Sequence, residues 1–136
     1  MFYYSVADHC VIMSYNVPKE HAFAALMHDA AESYLTDVPK PIKSIMPQYQ
    51  DFEIKVLEVI ARKYHFDVPF SHEVKDADLR MLATEKRDLM APILDDWASL
   101  KGVEPFEKKI RPNPPRFAEA AFLVRFQELC PDGIWL

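Results

Sequence analysis

Glycine is scarce in this sequence, and its scarcity excludes several kinds of site. The chain has 2 glycines in 136 residues, at positions 102 and 133. Phosphate-binding loops, dinucleotide-binding fingerprints and type I′ hairpins require glycine where φ is positive or where the backbone approaches a ligand closely. A P-loop, a Rossmann domain and a hairpin-rich β fold are therefore disfavoured.

Cysteine, long apolar runs and excess positive charge are also lacking. Cys10 and Cys130 form no CxxC motif, which predicts free thiols and a cytoplasmic location. No apolar run approaches the roughly 20 residues of a membrane span, and no cationic leader is present, so we expect no membrane association. The net charge of -5 argues against binding to a nucleic-acid polymer, which requires a basic face.

The sequence does contain the pattern of a helical protein. Half of its residues are apolar, which is enough for one compact domain over residues 1–136. Its 11 prolines separate segments in which apolar residues recur with a helical period. We therefore predict a compact all-α bundle of about six helices. They span residues 6–15, 18–35, 42–46 (a short turn), 49–64, 74–100 (interrupted near Pro92) and 116–129.

An adjacent histidine and aspartate interrupt the apolar run of the second predicted helix. His28 and Asp29 follow five apolar residues and precede two alanines. Burying such groups without partners costs about 1–3 kcal/mol each, and a divalent cation would remove that cost for both. A buried hydrogen bond between the two side chains, or a pair at the helix surface, is the alternative explanation.

Two further carboxylates follow closely. In a continuous helix, Glu32 would share one face with His28 and Asp29, and Asp37 follows at the predicted helix end. Carboxylates in close quarters raise one another's pKa values unless a cation is present. The pattern indicates a metal site with a spare carboxylate for acid–base chemistry.

Other helices offer two more ligands. His9 and Asp78 each lie among residues that are expected to pack inward, although each alone is more often an ordinary polar core residue. With His28 and Asp29 they would form a His2Asp2 set. Such a set suits one divalent ion, Mn2+, Co2+, Mg2+, Zn2+ or Fe2+. The remaining candidates are predicted to be exposed; they are His21, His65, His72 and Asp8.

The order of these residues resembles the HD-domain metal-dependent phosphohydrolases. Three segments carry the resemblance: residues 4–9 (YSVADH), 28–43 (HDAAESYLTDVPKPIK) and 74–90 (VKDADLRMLATEKRDLM). They are similar to the bacterial and phage branch related to 5′-deoxynucleotidases and phage deoxynucleoside triphosphohydrolases. The resemblance extends over about residues 4–129 and implies an HD-domain helical bundle.

The resemblance implies a role for each candidate residue. One divalent metal would be held by His9, His28, Asp29 and Asp78, with Asp76 as the alternative to Asp78. Glu32 would be the acid–base residue or would orient the water, and Asp37 would be a second carboxylate near the phosphorus. Lys43 would bind phosphate, with Lys40 or Lys75 as alternatives.

The implied activity is the hydrolysis of a (deoxy)nucleoside 5′-monophosphate to nucleoside and phosphate, in a homo-oligomer. A deoxynucleoside triphosphate triphosphohydrolase is the alternative enzyme, and the modest number of local cations favours the monophosphate. Family members usually carry a further N-terminal helix with a phosphate-gripping arginine, and this sequence begins at Met1 shortly before the first ligand helix. That difference motivates a further alternative, a catalytically inactive metal- or nucleotide-binding HD domain. A helical interaction protein without metal is the third alternative.

Overall fold

The computed structural model describes residues 3–91 and 97–130, apart from the side chain of Lys40. Within these ranges the chain is helical and contains no strand, which confirms the all-α prediction. Among the same residues, no helix has both the length and the apolar character needed to cross a membrane. The six α-helices of the described residues are α1 (Val6–Ser14), α2 (Ala22–Met27), α3 (Lys40–Lys43), α4 (Pro47–Tyr64), α5 (His72–Leu89) and α6 (Pro115–Leu129). Short 3-10 helices cover Lys19–His21, Ala30–Ser33 and Ala98–Leu100.

Local sequence signals explain where the main helices begin. The Ser5 side chain accepts a hydrogen bond from the Asp8 amide and caps α1. Ser71 caps α5 in the same way through the Val74 amide. Proline occupies the first turn of α4 and of α6, where its missing N–H leaves no helical hydrogen bond unmade.

The helix predicted over residues 18–35 is not continuous. The α-helix ends at Met27, and the chain continues as a 3-10 turn in which the Glu32 amide bonds the Asp29 carbonyl. The His28 ring provides a physical reason, because its Nδ1 lies 2.8 Å from the Ala25 carbonyl oxygen. A continuing helix would use that oxygen to accept from the Asp29 amide, so the side chain competes with the helix. Glu32 therefore does not share an α-helical face with His28 and Asp29.

The helix predicted over residues 74–100 is also shorter than expected. Helix α5 ends at Leu89, and Met90 is already extended with ψ 150°. Pro92 follows closely in the sequence and disfavours helical backbone at the residue before it. The predicted interruption at Pro92 itself lies outside the described residues.

Two apolar clusters form the core, and α1 and α2 contribute to both. Met13 and Ala25 pack with residues of α5 and the 103–110 region, whereas Cys10 and Leu26 face α4 and α6. The first cluster contains Met13, Ala25, Val74, Ala77, Met81, Phe106 and Ile110. The second contains Cys10, Phe23, Leu26, Met27, Ile60 and Phe126. Helices α1 and α2 are thus held from two sides, which fixes the residues they carry.

The prediction that Asp8 is exposed is wrong. Its side chain is buried and accepts hydrogen bonds from the Asn113 backbone amide at 3.2 Å and from Asn113 Nδ2 at 2.7 Å. These bonds attach the segment before α6 to the first turn of α1. Thr84 is likewise buried and accepts from the Phe106 amide at 2.9 Å. Buried polar side chains of α1 and α5 therefore anchor the long connection between α5 and α6.

Candidate metal centre

Three helical segments place the predicted ligands side by side. His9 lies in the middle of α1, Asp78 lies in α5, and His28 and Asp29 directly follow the end of α2. Packing of α1 against α2 and α5 brings all four side chains to one point. The exposed Asp76 is not among the groups that converge there, so the structure favours Asp78 over Asp76.

The atoms that meet at this point are all possible metal ligands. His9 Nε2 lies 3.3 Å from His28 Nε2 and 3.5 Å from Asp78 Oδ1. Asp29 approaches His28 Nε2 at 3.2 Å and His9 Nε2 at 3.8 Å. Two ligand atoms bound at about 2.1 Å to one ion lie roughly 3.0–3.4 Å apart for angles of about 90–109°. The observed separations are close to this range, so only small adjustments would be needed to coordinate one ion.

Both imidazole rings are fixed by hydrogen bonds on their other nitrogen. His9 Nδ1 lies 2.7 Å from Glu85 Oε1, and His28 Nδ1 lies 2.8 Å from the Ala25 carbonyl oxygen. Because both partners are acceptors, each Nδ1 must donate a hydrogen. A neutral ring of this tautomer presents the Nε2 lone pair to the centre. Metal-binding histidines in proteins are usually held in this way.

The chemistry of the donor set fits a cation. Two Nε2 lone pairs and the carboxylates of Asp29 and Asp78 are all acceptors, and each carboxylate lies within 3.8 Å of both Nε2 atoms. No proton lies between them when the rings are neutral, so either protonated histidines or a metal ion must balance the negative charge. The structure therefore contains histidine and aspartate groups positioned to hold a metal ion.

The pKa shifts of the metal-free protein show the same preference for positive charge. Burial disfavours the charged form of His9, but hydrogen bonds to Asp78 and Glu85 outweigh it and raise the pKa of His9 to about 10. For His28, burial is likewise outweighed by the hydrogen bond to Asp78, and its pKa lies well above the ordinary value. Burial also opposes ionisation of Asp78, yet the two histidines hold the pKa of Asp78 well below its usual range.

Glu85 is a site residue that the sequence analysis missed. Its Oε1 accepts from His9 Nδ1 and also from the Tyr4 hydroxyl, at 2.7 Å in each case. A signal was available, because Glu85 follows Asp78 by seven residues. Two helical turns place both side chains on the same face of α5.

Cys10 also lies beside the centre. Its Sγ is buried and lies 3.9 Å from His28 Nδ1. Among the described residues, two groups bring three ligand atoms within 4.8 Å of one another. One consists of His9, His28 and Asp78, and the other of Cys10, His28 and Asp29.

The two predicted catalytic carboxylates line a cavity that adjoins the centre. The cavity has a volume of about 720 Å³, and Asp29, Glu32 and Asp37 are part of its wall. The pKa of Glu32 is raised to about 7, first by burial and then by the neighbouring charges of Asp29 and Asp37. The charges of Lys43 and His28 lower the pKa by less. Asp29 therefore connects the ligand cluster to the cavity, and Glu32 is poised to gain or lose a proton near neutral pH.

The rest of the cavity wall is mainly apolar and aromatic. Tyr64 of α4 and three aromatic or apolar side chains of α6, Phe122, Leu123 and Phe126, lie in it. Tyr3 also lines the cavity, whereas the hydroxyl of the adjacent Tyr4 donates to Glu85. Among the described residues that line the cavity, none is lysine, arginine or histidine.

Two of the three predicted phosphate ligands, Lys43 and Lys75, are not on this wall. Lys43 Nζ forms an ion pair with Glu53 at 2.8 Å, and Lys75 is exposed on α5. The side chain of Lys40 lies outside the described residues. Of the histidines predicted to be exposed, His65 and His72 are so, and His21 is half-buried.

The sequence has a clear relative. It is 46% identical over 131 residues to YfdR of Escherichia coli (strain K12), described as an uncharacterized protein, and the match covers 93% of this chain and 72% of the relative. The chain belongs to the YfdR family. No family model and no solved structure matches it significantly. Because the description of YfdR names no activity, the function has to be argued from the site.

Proposed function

We propose that this protein is a metal-dependent phosphohydrolase of the HD-domain type that acts on nucleotides. In the favoured reaction it hydrolyses a (deoxy)nucleoside 5′-monophosphate to nucleoside and phosphate. The observation that supports the proposal most strongly is the convergence of His9, His28, Asp29 and Asp78 beside a cavity whose wall also carries Glu32 and Asp37.

The four converging residues would hold the divalent ion. When bound, such an ion supplies positive charge to a phosphate oxygen and lowers the pKa of a water molecule. The chain's own residues would transfer the proton and bind the nucleoside part of the substrate. Asp29 would hold the ion next to the substrate, because it belongs both to the ligand cluster and to the cavity wall.

Glu32 is suited to proton transfer. Its carboxyl group lies on the cavity wall and has a pKa of about 7, raised by burial and by the charges of Asp29 and Asp37. An acid–base residue works best when its pKa is near the working pH. Glu32 would accept a proton from the attacking water and return it to the leaving oxygen of the nucleoside. Asp37 contributes by holding the pKa of Glu32 up.

The cavity wall supports a nucleoside with one phosphate. Tyr3, Tyr64 and Phe122 offer aromatic faces on which a base can stack, and base–aromatic stacking contributes about 1–3 kcal/mol. A triphosphate carries several more negative charges than a monophosphate and would need cationic side chains near the cavity. The described wall contains none, and the nearby Lys43 is paired with Glu53. The wall thus favours the monophosphate over the triphosphate.

The proposal is tested by phosphate release. Protein stripped with EDTA and reloaded with Mn2+, Co2+ or Mg2+ is incubated with a panel of ribo- and deoxynucleoside monophosphates and triphosphates. Pyrophosphatase is added to one set so that polyphosphate products are detected. We expect phosphate from monophosphates only. Triphosphate turnover alone would replace the favoured substrate, and no turnover by folded, metal-loaded protein would identify a binding module instead of an enzyme.

Variants separate the roles of the residues. Asp29→Ala removes a ligand, so we expect metal content and activity to be lost together. Glu32→Gln keeps the ligand cluster intact, so we expect metal content to be retained and turnover to fall about 10²–10⁴-fold. Glu119→Gln is the matched control, because Glu119 also lines the cavity but lies on α6. Full activity of Glu32→Gln would show that the role assigned to Glu32 is wrong.

A further inference from the structure

Glu85 lies behind the proposed metal centre, on the side of His9 that faces away from the other ligands. Its side chain is only 13% exposed. A single oxygen, Oε1, accepts hydrogen bonds from His9 Nδ1 and from the Tyr4 hydroxyl, both at 2.7 Å. Two short bonds on one carboxylate oxygen leave this group little freedom to move.

The two histidines of the centre are held by different kinds of partner. His28 Nδ1 bonds a neutral backbone carbonyl, that of Ala25, whereas His9 Nδ1 bonds the carboxylate of Glu85. A carboxylate partner fixes the Nδ1–H tautomer, orients the ring and makes the opposite nitrogen a stronger ligand. His9 Nε2 should therefore be the better electron donor of the two.

Helix α5 contacts His9 on both of its nitrogens. Asp78 lies 3.5 Å from Nε2, on the ligand side, and Glu85 lies 2.7 Å from Nδ1, on the opposite side. The His9 ring is thus clamped between two carboxylates two turns apart on one helix. Tyr4, just before α1, donates its hydroxyl hydrogen to Glu85 Oε1 and so helps to hold the Glu85 carboxylate in place.

We infer that Glu85 is a positioning residue that sets the affinity of the centre for its divalent ion by fixing the tautomer and orientation of His9, with Tyr4 acting through Glu85. This inference rests on the proposed metal centre and concerns metal binding, so it does not depend on which substrate is hydrolysed. Removal of comparable outer partners of metal-binding histidines weakens metal affinity about 10–100-fold.

The direct test is metal affinity. Titration calorimetry with Zn2+ and Mn2+ compares the stripped wild-type chain with Glu85→Gln, which keeps the size of the side chain but removes its charge. We expect binding to be 10–100-fold weaker with unchanged circular dichroism. Asp88→Asn is the matched control, since Asp88 is a well-buried carboxylate on α5 that bonds the Ile110 amide and does not face the centre. It should bind metal like the wild type.

Two further readouts distinguish positioning from general support of the fold. In long-range 1H–15N spectra of the Zn2+-loaded wild type, we expect His9 to carry its hydrogen on Nδ1, and Glu85→Gln to weaken or exchange-broaden that signal. Tyr4→Phe should lower metal affinity roughly 2–10-fold in the wild-type background. It should add no further loss in the Glu85→Gln background, because Tyr4 acts through Glu85.

A folded Glu85→Gln protein with wild-type metal affinity would overturn the inference, and so would equal losses from Tyr4→Phe in both backgrounds. If Glu85→Gln does not fold, the metal affinity of Tyr4→Phe is the deciding measurement. An unchanged metal affinity of Tyr4→Phe would then overturn the inference. A wild-type protein that binds metal tightly but releases no phosphate refutes the proposed function and leaves the role of Glu85 standing. A wild-type protein that binds no divalent metal refutes both.

Discussion

Replacing Glu32 by glutamine should stabilise the metal-free protein, but only at neutral and alkaline pH. The folded structure raises the pKa of Glu32 from 4.5 to about 7, first by burial and then by the charges of Asp29 and Asp37. The folded protein therefore holds this proton more tightly than the unfolded chain does. The stability gained from it is fully present below pH 4.5 and is lost as the pH rises through 7. Glutamine is neutral at every pH, so the variant does not lose this stability as the pH rises.

The size of the effect follows from the shift and the exposure. Each tenfold difference in proton affinity corresponds to 1.4 kcal/mol, so the rise to about 7 gives an upper bound of about 3.4 kcal/mol. Glu32 is only partly buried, and solvent screening reduces the expected value to about 1 kcal/mol. For a chain of this length, that free energy corresponds to a rise in melting temperature of roughly 3–5 °C.

The assay is thermal unfolding in EDTA at pH 4.5 and pH 8, followed by circular dichroism or calorimetry. Glu32→Gln should melt close to the wild type at pH 4.5 and several degrees above it at pH 8. Glu119→Gln, at an exposed position of α6 that also lines the cavity, should show no such pH-dependent difference. A Glu32→Gln difference of the same size at both pH values would mean that Glu32 does not titrate as the structure indicates.

Three further outcomes concern stability and metal binding. Met81 is fully buried in the core, so Met81→Ala should lower the free energy of unfolding by about 2–5 kcal/mol in urea titrations. Asp8→Ala should cost about 1–3 kcal/mol in the same assay, because it removes the buried charged acceptor of two hydrogen bonds from Asn113; a loss under 0.5 kcal/mol would contradict this account. Mn2+ at about 100 times its dissociation constant should stabilise the wild type by roughly 2.7 kcal/mol in thermal unfolding. The same Mn2+ concentration should stabilise Asp78→Ala much less, and equal stabilisation would exclude Asp78 as a ligand.

Helices with strong local signals could be predicted from the sequence. Predicted helices over residues 49–64 and 116–129 agree closely with α4 and α6, whose first turns contain proline and whose apolar residues recur with a helical period. The start of α5 carries a local signal of the same kind, because serine at position 71 is a preferred N-cap residue. These signals act within a few residues, so they do not depend on how the rest of the chain packs.

Predictions failed where a side chain competes with the backbone or finds a distant partner. The His28 ring bonds the Ala25 carbonyl, and the α-helix ends at Met27 instead of continuing to residue 35. The sequence predicts that Asp8 is exposed, but the side chain is buried because it bonds Asn113, which is far away in the sequence. Neither contact leaves a periodic pattern that could be read in advance.

The sequence by itself determined the all-α class and supplied the chemical groups of the candidate site, because helix periodicity and residue chemistry are local properties. Only the tertiary structure decided which groups meet. The packing of α1 on α2 and α5 brings His9 and Asp78 to His28 and Asp29, assigns Glu85 to His9, and leaves Lys43 paired with Glu53. Distances between residues on different helices depend on how the apolar faces of those helices interlock, and that depends on the whole core at once.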